Sequence, residues 1–326
     1  MRRFPVFLGV CLLTIALLTS SCAAPVTPTA PTTPAAPSTP VETGKGPITV
    51  GSKIDTEGSL LSQIIILMLR DNGFEVVDKS QFGTTPIVRK AITSGELDIY
   101  PEYTGNGAFF FDEADSPIWK DAGAGYLRVK ELDKEANDII WLTPAPANNT
   151  WAIAIPDTLA QQEGIRTLDD FAAYVNQGGY VKLIGSEEFV NSAAALPAFQ
   201  EAYGFTLGQS QLLTVSSGDT AQTEKAASEG TDGVNAAMAY GTDGSLSAFG
   251  LVVLEDPRGV QPVYEPAPII RGEVFNKYPQ IETILSPVFQ SLNLETLQTL
   301  NAKIAIEGQN PATVASDYLK ARGFLK

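Results

Sequence analysis

Histidine is absent from the 326-residue sequence. Because histidine is the usual acid–base group at neutral pH and a common zinc ligand, its absence excludes Ser-His and Cys-His nucleophilic systems and the usual zinc sites. The sequence also lacks a G-x-S-x-G nucleophile motif, a Walker loop and a complete dinucleotide-binding glycine pattern. We therefore expect no cofactor, no bound metal and no enzymatic activity.

Paired carboxylates leave one enzymatic alternative, a periplasmic hydrolase that acts through acidic residues. The pairs Glu187-Glu188 and Asp169-Asp170 have the residue types that such a reaction needs. Adjacent residues rarely face one site, however, and acidic residues at helix starts are favoured by the helix dipole. The non-enzymatic interpretation is therefore preferred over the hydrolase.

Cysteine is scarce, and the second of the two cysteines ends a targeting signal. The basic pair Arg2-Arg3 precedes an apolar run over residues 6–18, which is too short for a membrane span and typical of a signal peptide. The run ends in Leu18-Thr19-Ser20-Ser21-Cys22, which resembles the lipobox of bacterial lipoproteins. We predict a signal peptide at residues 1–21 and a lipid anchor at Cys22, with an ordinary secretory signal as the alternative.

The first cysteine, Cys11, lies inside the apolar run and would be removed with it, so the mature chain would hold Cys22 alone and no intramolecular disulfide. Residues 22–46 are mostly Ala, Pro and Thr, with a proline at every third position from Pro25 to Pro40. This spacing matches the three-residue turn of polyproline II and predicts an extended stalk. We expect the stalk to hold a folded domain away from the membrane.

Basic residues are outnumbered, since 22 Lys and Arg face 37 Asp and Glu, for a net charge of −15 at pH 7. Such a balance disfavours binding to phosphate backbones and to anionic lipid surfaces, and we expect no nucleic-acid partner. It is compatible with a cationic or zwitterionic ligand without indicating one.

Beyond the stalk, short apolar strands alternate with amphipathic helices. Strand patterns at residues 48–50, 75–77 and 97–100 are separated by helix patterns at residues 56–69 and 85–95. This order predicts a parallel sheet with helices on its faces.

A second cycle of strands and helices begins after Thr150. It has strand patterns at residues 151–155, 181–184, 234–240 and 251–254 and helix patterns at residues 168–176 and 196–203. The C-terminal part is mostly helical, and the pattern does not decide which unit it joins. We predict two α/β lobes, residues 47–149 plus 251–326 and residues 150–250, with a hinge at chain crossings near Thr150 and Leu251.

Four segments combine an aromatic ring with polar or turn-forming neighbours where a strand is predicted to begin or end. They are residues 100–106, 148–151, 239–244 and 261–266. In open α/β sheets such strand ends line the ligand crevice. We expect Tyr100 and Phe109-Phe110-Phe111 to pack in the core instead.

Several of these segments match one family in chain order. They include Gly51-Ser52-Lys53, Ser94-Gly95-Glu96-Leu97-Asp98-Ile99-Tyr100-Pro101-Glu102-Tyr103-Thr104-Gly105, Asn148-Asn149-Thr150-Trp151-Ala152 and Thr242-Asp243-Gly244. Together they resemble the glycine betaine/choline-type osmoprotectant-binding proteins of ABC importers, from about residue 47 to the C-terminus. The resemblance implies an α/β periplasmic-binding-protein fold of class II, with two lobes that close on solute. It also implies a lipid-anchored, extracytoplasmic protein that docks on permease subunits, and we expect a monomer.

The resemblance further implies a cage of aromatic rings around a trimethylammonium head. Carried over by position, the cage is Tyr103, Trp151, Tyr240 and Tyr264, with Asn106 as a polar neighbour. Trp151 stands where relatives usually have Tyr, and because indole offers the best cation–π face, this departure keeps cation binding.

The start of the first helix leaves the solute open. Gly58 stands where many relatives have Gln, which removes a polar side chain, and we expect structural roles for Lys53 and Glu57. The sequence thus predicts a receptor for glycine betaine, choline or a similar compatible solute. The same fold holding another small solute, such as an amino-acid derivative, is the alternative.

Overall fold

A computed structural model of the chain describes residues 44–216 and 220–325. The predicted signal peptide, the anchor at Cys22 and nearly all of the predicted stalk lie outside these residues. The first strand begins at Lys45, so the predicted end of the stalk at residue 46 already lies inside the fold. In the described part, no helix combines the length and the apolar character that a membrane span requires.

The first part of the fold alternates between strands and helices as predicted. It contains β1 (Lys45–Lys53), α1 (Thr56–Asp71), β2 (Phe74–Gly83), α2 (Thr85–Thr93), β3 (Ile99–Tyr103), α3 (Gly107–Phe110), α4 (Ala122–Asn137) and β4 (Ile139–Trp141). Helix α1 begins where the sequence predicts because the Asp55 side chain accepts a hydrogen bond from Gly58 N at 2.7 Å. Gly73, at φ +80°, lets the chain turn out of α1 into β2.

The middle part repeats the alternation. It contains β5 (Trp151–Pro156), α5 (Asp157–Glu163), α6 (Leu168–Asn176), β6 (Leu183–Ser186), α7 (Glu187–Asn191), α8 (Leu196–Tyr203), β7 (Leu212–Val215), α9 (Thr220–Glu229), β8 (Ala236–Tyr240), α10 (Ser245–Ala248) and β9 (Leu251–Val253). Helices α6 and α8 have the predicted bounds because local signals set them. Thr167 and Asp170 form a capping box before α6, and Gly204 follows α8 at φ +70°.

The C-terminal part joins the core of the first part. It contains β10 (Pro266–Arg271), α11 (Gly272–Lys277), α12 (Gln280–Gln290), α13 (Leu294–Ala305) and α14 (Pro311–Ala321). Leu285, Leu297 and Leu319 of these helices are buried in the same apolar cluster as Ile64 of α1. Shared burial of apolar faces therefore decides the placement that the sequence pattern left open.

The strands form two five-stranded mixed sheets, and the α/β architecture expected from the sequence is confirmed. The first sheet has the order β2-β1-β3-β10-β4, with β1 parallel to β2 and β3, and β10 antiparallel to β3 and β4. The second has the order β7-β6-β8-β5-β9, with β6 parallel to β7 and β8, and β5 antiparallel to β8 and β9. The parallel arrangement predicted for the first three strands is confirmed, and β10 joins the same sheet in the antiparallel direction after the chain has passed through the second sheet. We call the parts built on the two sheets the first and second lobes.

The chain returns to the first lobe later than the predicted crossing near Leu251. Strand β9 pairs with β5 in the second sheet, and Leu254 is buried in the second lobe's core. Val263 N, by contrast, donates to Trp119 O of the first lobe at 2.8 Å. Residues 251–254 therefore belong with the second lobe, because the edge of β5 supplies the hydrogen-bond partners that β9 needs.

Candidate functional site

The five side chains predicted to bind ligand line one cavity of 710 Å³. Tyr103 ends β3, Asn106 follows it, Trp151 begins β5, Tyr240 ends β8, and Tyr264 precedes β10. Strand ends of both sheets thus meet at the cavity, as expected for a ligand crevice in α/β folds. Contact with a ligand remains a prediction for all five.

On the second lobe, the wall of the cavity is a pair of stacked rings. Trp151 and Tyr240 are register partners in the antiparallel β5–β8 pair, and their ring centroids are 6.4 Å apart at an interplanar angle of 24°. Phe189 packs edge-on against the indole at 6.1 Å and 80°. Burial raises the pKa of the Tyr240 hydroxyl above its usual value, so this wall presents neutral rings at physiological pH.

Tyr264 is fixed by backbone contacts where the two crossing segments meet. Its N–H donates to Asn148 Oδ1 at 2.8 Å, and its carbonyl oxygen accepts from Asn149 N at 2.9 Å. Its ring lies so close to Gly105 that a Cβ there would come within 2.8 Å of two ring carbons. Burial raises the pKa of the Tyr264 hydroxyl to about 12, with smaller contributions from the Tyr240 hydroxyl and the Glu102 carboxylate.

Tyr103 is already engaged by two charged groups of the first lobe. Its hydroxyl donates to Glu57 Oε1 at 2.8 Å, and Lys53 Nζ lies 4.4 Å from its ring centre. The ammonium occupies a cation–π position on one face of this ring. Only the remainder of the Tyr103 ring is therefore open to a ligand.

Glu102 lies behind Tyr103, fully buried, and it accepts four hydrogen bonds. The donors are Lys53 Nζ at 2.5 Å, Asn106 Nδ2 and Tyr103 N at 2.7 Å, and the Tyr100 hydroxyl at 2.8 Å. Tyr100 is 0% exposed, which places it in the core as predicted. Glu102 belongs to one of the segments that resemble the family, but no sequence pattern assigns it a role.

Glu57 is the second buried carboxylate at the cavity. It accepts from the Tyr103 hydroxyl and from Asn301 Nδ2, the latter at 2.7 Å, and Asn301 Nδ2 also lies 2.9 Å from Thr242 O of the second lobe. Burial raises the Glu57 pKa to about 7, although hydrogen bonds from Thr242, Tyr103 and Asn301 oppose the rise. The structural roles expected for Lys53 and Glu57 fit these contacts, while both residues also line the cavity.

Asn301 was missed by sequence reasoning altogether. It lies in α13, 244 positions beyond Glu57, and no local pattern marks a polar residue in an amphipathic helix as part of a site. Its neighbourhood joins the lobes, since Gln298 Nε2 donates to Gly241 O at 2.8 Å. The signal that identifies it is burial: Asn301 is only 5% exposed.

Several buried polar atoms at the cavity have no hydrogen-bond partner in the part of the chain that the structure describes. They are Asn149 Oδ1, Thr150 Oγ1, Trp151 Nε1 and Asn301 Oδ1. Trp151 Nε1 also lies near the Tyr240 hydroxyl, and this interaction partly opposes the rise that burial causes in the Tyr240 pKa. Because an unpaired buried polar group costs about 1–3 kcal/mol, these atoms are available to a ligand.

Phe109 corrects a prediction. It was expected to pack in the core, but it is 62% exposed and lines the cavity. Its neighbours behave differently: Phe110 lies against the Arg89 guanidinium, 4.3 Å from its ring centre, and Phe111 packs beside a buried cluster. The short helix α3 turns the first of the three rings toward the cavity mouth.

The carboxylate pairs of the hydrolase alternative lie outside the cavity lining. Glu187-Glu188 and Asp169-Asp170 occupy the first turns of α7 and α6, and Asp170 completes the capping box with Thr167. Both pairs therefore fit the helix-dipole interpretation. Among residues 44–216 and 220–325, no group of His, Cys, Asp or Glu is arranged to hold a metal ion.

Comparisons with known proteins identify the family of this chain. Residues 46–321 match the family model described as the substrate binding domain of an ABC-type glycine betaine transport system. The chain is 58% identical over 280 residues to the glycine betaine-binding protein YehZ of Escherichia coli, covering 86% of this chain and 92% of that protein. It is 33% identical over 284 residues to a glycine-betaine-binding protein of Pseudomonas aeruginosa, covering 85% and 88%.

Among solved structures, apo YehZ from Escherichia coli superposes with a TM-score of 0.82, covering 85% of this chain and 99% of that one. The agreement extends over both lobes, which supports the two-lobed architecture as a whole. The chain therefore belongs to the family of substrate-binding domains of ABC-type glycine betaine transport systems.

Proposed function

We propose that this protein captures glycine betaine, or a closely related quaternary ammonium solute, for an ABC importer. The observation that carries the proposal is the meeting of Tyr103, Trp151, Tyr240 and Tyr264, from two sheets, around one cavity in a member of this family. The protein acts outside the cytoplasm, as substrate-binding components of ABC importers do. It catalyses no reaction, because its role ends with delivery of an unchanged solute.

The trimethylammonium head is held by aromatic faces. A quaternary ammonium has no N–H donor, so hydrogen bonds do not hold it, whereas ring quadrupoles attract it at about 0.5–2 kcal/mol per ring. Because Lys53 already covers part of Tyr103, we place the head mainly against Trp151, Tyr240 and Tyr264.

The carboxylate of a betaine is met at the other end by cationic and neutral donors. Lys53 supplies the ammonium in the cavity lining, and Trp151 Nε1 and Thr150 Oγ1 are buried donors without a hydrogen-bond acceptor among the described residues. Charge-assisted hydrogen bonds to a carboxylate are stronger than neutral ones, so Lys53 makes the largest contribution at this end.

Delivery follows closure of the lobes. We propose that they rotate about the crossing segments, between β4 and β5 and between β9 and β10, and that the closed form docks on permease subunits. A lipid at Cys22 and the proline-rich stalk keep the monomeric receptor near its permease. These features lie outside the described residues and rest on the sequence pattern.

A larger solute is the second candidate. The cavity of 710 Å³ falls within the range of about 300–1,000 Å³ that is typical of sites for drug-sized ligands. An amino-acid derivative with a methylated ammonium would therefore also fit between the rings and Lys53. Both candidates share the ammonium head and differ in the body attached to it.

Fluorescence titration tests the proposal. Trp119 and Trp141 are 1% and 0% exposed in the first lobe's core, so ligand-dependent emission reports Trp151. Glycine betaine, choline, carnitine and proline betaine are titrated in turn, with thermal unfolding measured in parallel. We expect at least one to quench or shift the emission and to raise the melting temperature. If all four leave both signals unchanged, the proposal is wrong.

A further inference from the structure

Glu102 influences the cavity without lining it. It is 0% exposed and absent from the cavity wall, yet it contacts three residues that form that wall: Lys53, Tyr103 and Asn106. A buried carboxylate is tolerated only when donors compensate it, and here an ammonium, a hydroxyl, an amide side chain and a backbone N–H do so. The same four contacts fix the positions of the groups that donate them.

The ion pair of Glu102 with Lys53 also sets the charge at the first lobe's wall. Lys53 is the basic residue in the lining, and Asp55, Glu57 and Asp243 are the acidic ones. The charge of Glu102 acts on the cavity because its carboxylate lies within hydrogen-bonding distance of Lys53, Tyr103 and Asn106, which line it. Removing Glu102's charge would leave the Lys53 ammonium uncompensated beside the ligand.

We propose that Glu102 is a positioning residue that sets how the site chooses between quaternary ammonium ligands of different net charge, an inference that rests on the proposed function. By neutralising Lys53, it keeps the cavity open to cationic ligands such as choline. Without it, Lys53 would repel a cation and attract the carboxylate of a zwitterion such as glycine betaine. Glu102 thus controls the selectivity between cationic and zwitterionic ligands without lining the cavity itself.

The direction of the effect follows from Coulomb's law. Removing one negative charge raises the energy of a bound ligand of net charge +1, whereas a zwitterion whose carboxylate faces Lys53 is left unchanged or stabilised. At an effective dielectric constant of about 20 and a separation of several ångströms, the difference corresponds to at least about a tenfold change in relative affinity. Loss of packing alone would lower the affinities for both ligands by the same factor.

Asp133 provides a matched control in the same lobe. It is also 0% exposed and paired with a basic residue, since it accepts from Arg89 at 2.6 and 2.8 Å and from Trp141 Nε1 at 2.8 Å. Unlike Glu102, it contacts none of the residues in the cavity wall. Asp133→Asn therefore reproduces the loss of a buried carboxylate without the change of charge beside the ligand.

The test compares glycine betaine with choline in wild type, Glu102→Gln and Asp133→Asn. Dissociation constants are measured by Trp151 fluorescence, with competition against glycine betaine where choline binds weakly. In Glu102→Gln we expect the ratio of the choline to the glycine betaine dissociation constant to rise at least about tenfold. In Asp133→Asn we expect the ratio to stay as in wild type. An unchanged or lowered ratio in Glu102→Gln overturns the inference while leaving the proposed function intact.

Lys53→Gln supplies an independent test should Glu102→Gln fail to fold. It leaves Glu102 uncompensated, so the ratio should fall, opposite in sign to the first variant. A ratio that does not fall also overturns the inference. Failure of wild type to bind any of the four solutes titrated above contradicts the proposed function itself, and the two failures are thereby distinguished.

Discussion

The two walls of the cavity are built on different physical principles. On the first lobe, Lys53, Glu57, Glu102 and Tyr103 form a continuous set of short hydrogen bonds between buried charged and polar groups. On the second lobe, Trp151 stacks on Tyr240, and its Nε1 has no acceptor in the described part of the chain. The first wall has its charged groups paired, although Asn301 Oδ1 lacks a partner among the described residues, and the second wall presents the unpaired donor Trp151 Nε1.

This difference indicates how ligand binding is divided between the lobes. A wall that is fixed by internal hydrogen bonds needs no reorganisation to receive a ligand, so its groups are in place beforehand. A wall with an unpaired donor gains when a ligand supplies the acceptor. We infer that the first lobe orients the solute and that the second lobe adds stabilisation when it closes over it.

The largest predicted effect concerns the charge of the first wall. Burial raises the Glu57 pKa from 4.5 to about 7. Between pH 4.5 and pH 7, therefore, Glu57 keeps its proton in the folded state and has released it in the unfolded state. The contribution of Glu57 to the free energy of unfolding is fully present below pH 4.5. It decreases by about 3 kcal/mol as the pH rises through 7. With no histidine in the chain, few other groups titrate there.

Urea denaturation across pH 4.5 to 8 checks this prediction. The free energy of unfolding is measured for wild type and for Glu57→Gln at each pH. We expect it to fall with rising pH in wild type, and we expect the part of this fall that comes from Glu57 to be absent in Glu57→Gln. Glu135→Gln, at an exposed position of α4, serves as the control and should show the same pH dependence of the free energy of unfolding as wild type. A Glu57→Gln profile parallel to wild type would mean that Glu57 does not titrate near neutrality.

Gly244→Ala tests whether the two walls depend on each other. A methyl group at Gly244 would overlap the backbone nitrogen of Ala302 in α13, so the contact between α13 and the second lobe must shift. We expect a loss of about 2 kcal/mol in the free energy of unfolding, together with weaker solute binding. Gly123→Ala, where a Cβ would meet only Asp121 Oδ1 at 3.5 Å, should be neutral or slightly stabilising.

Trp151→Ala tests the second wall alone. Loss of the indole removes a cation–π face and the partner of Tyr240, and we expect affinity for glycine betaine to fall about tenfold to thirtyfold with the fold intact. Isothermal titration calorimetry measures it, since the fluorescent reporter is lost. Phe109→Ala, at the exposed mouth, should weaken binding much less. Equal losses of affinity in the two variants would show that Trp151 contributes no more to solute binding than Phe109 does.

Tyr103→Phe should have the smallest effect. The ring remains, while the hydrogen bond to Glu57 is lost, so we expect about 1 kcal/mol of stability to be lost and the affinity to change by less than about threefold. Because that hydrogen bond lowers the Glu57 pKa, its removal should move the Glu57 titration to higher pH. A large loss of affinity would show that the hydroxyl itself contacts the solute.

Local sequence signals predicted the secondary structure where they were strong. Helices α6 and α8 have the predicted bounds because capping residues and glycines act over a few positions. Strands β4 and β10 were not predicted, since β4 is only three residues long and β10 contains Pro266 and Pro268. Their place in the first sheet depends on partners distant in sequence.

The sequence by itself determined the class of fold and the aromatic residues of the cavity. Strand ends carry Tyr103, Trp151 and Tyr240 because the order of strands and helices fixes where each strand stops. Tertiary structure alone decided that β9 stays with the second lobe and that Asn301 joins Glu57 to Thr242. It also decided the Glu57 pKa, since burial is a property of packing and not of any local run of residues.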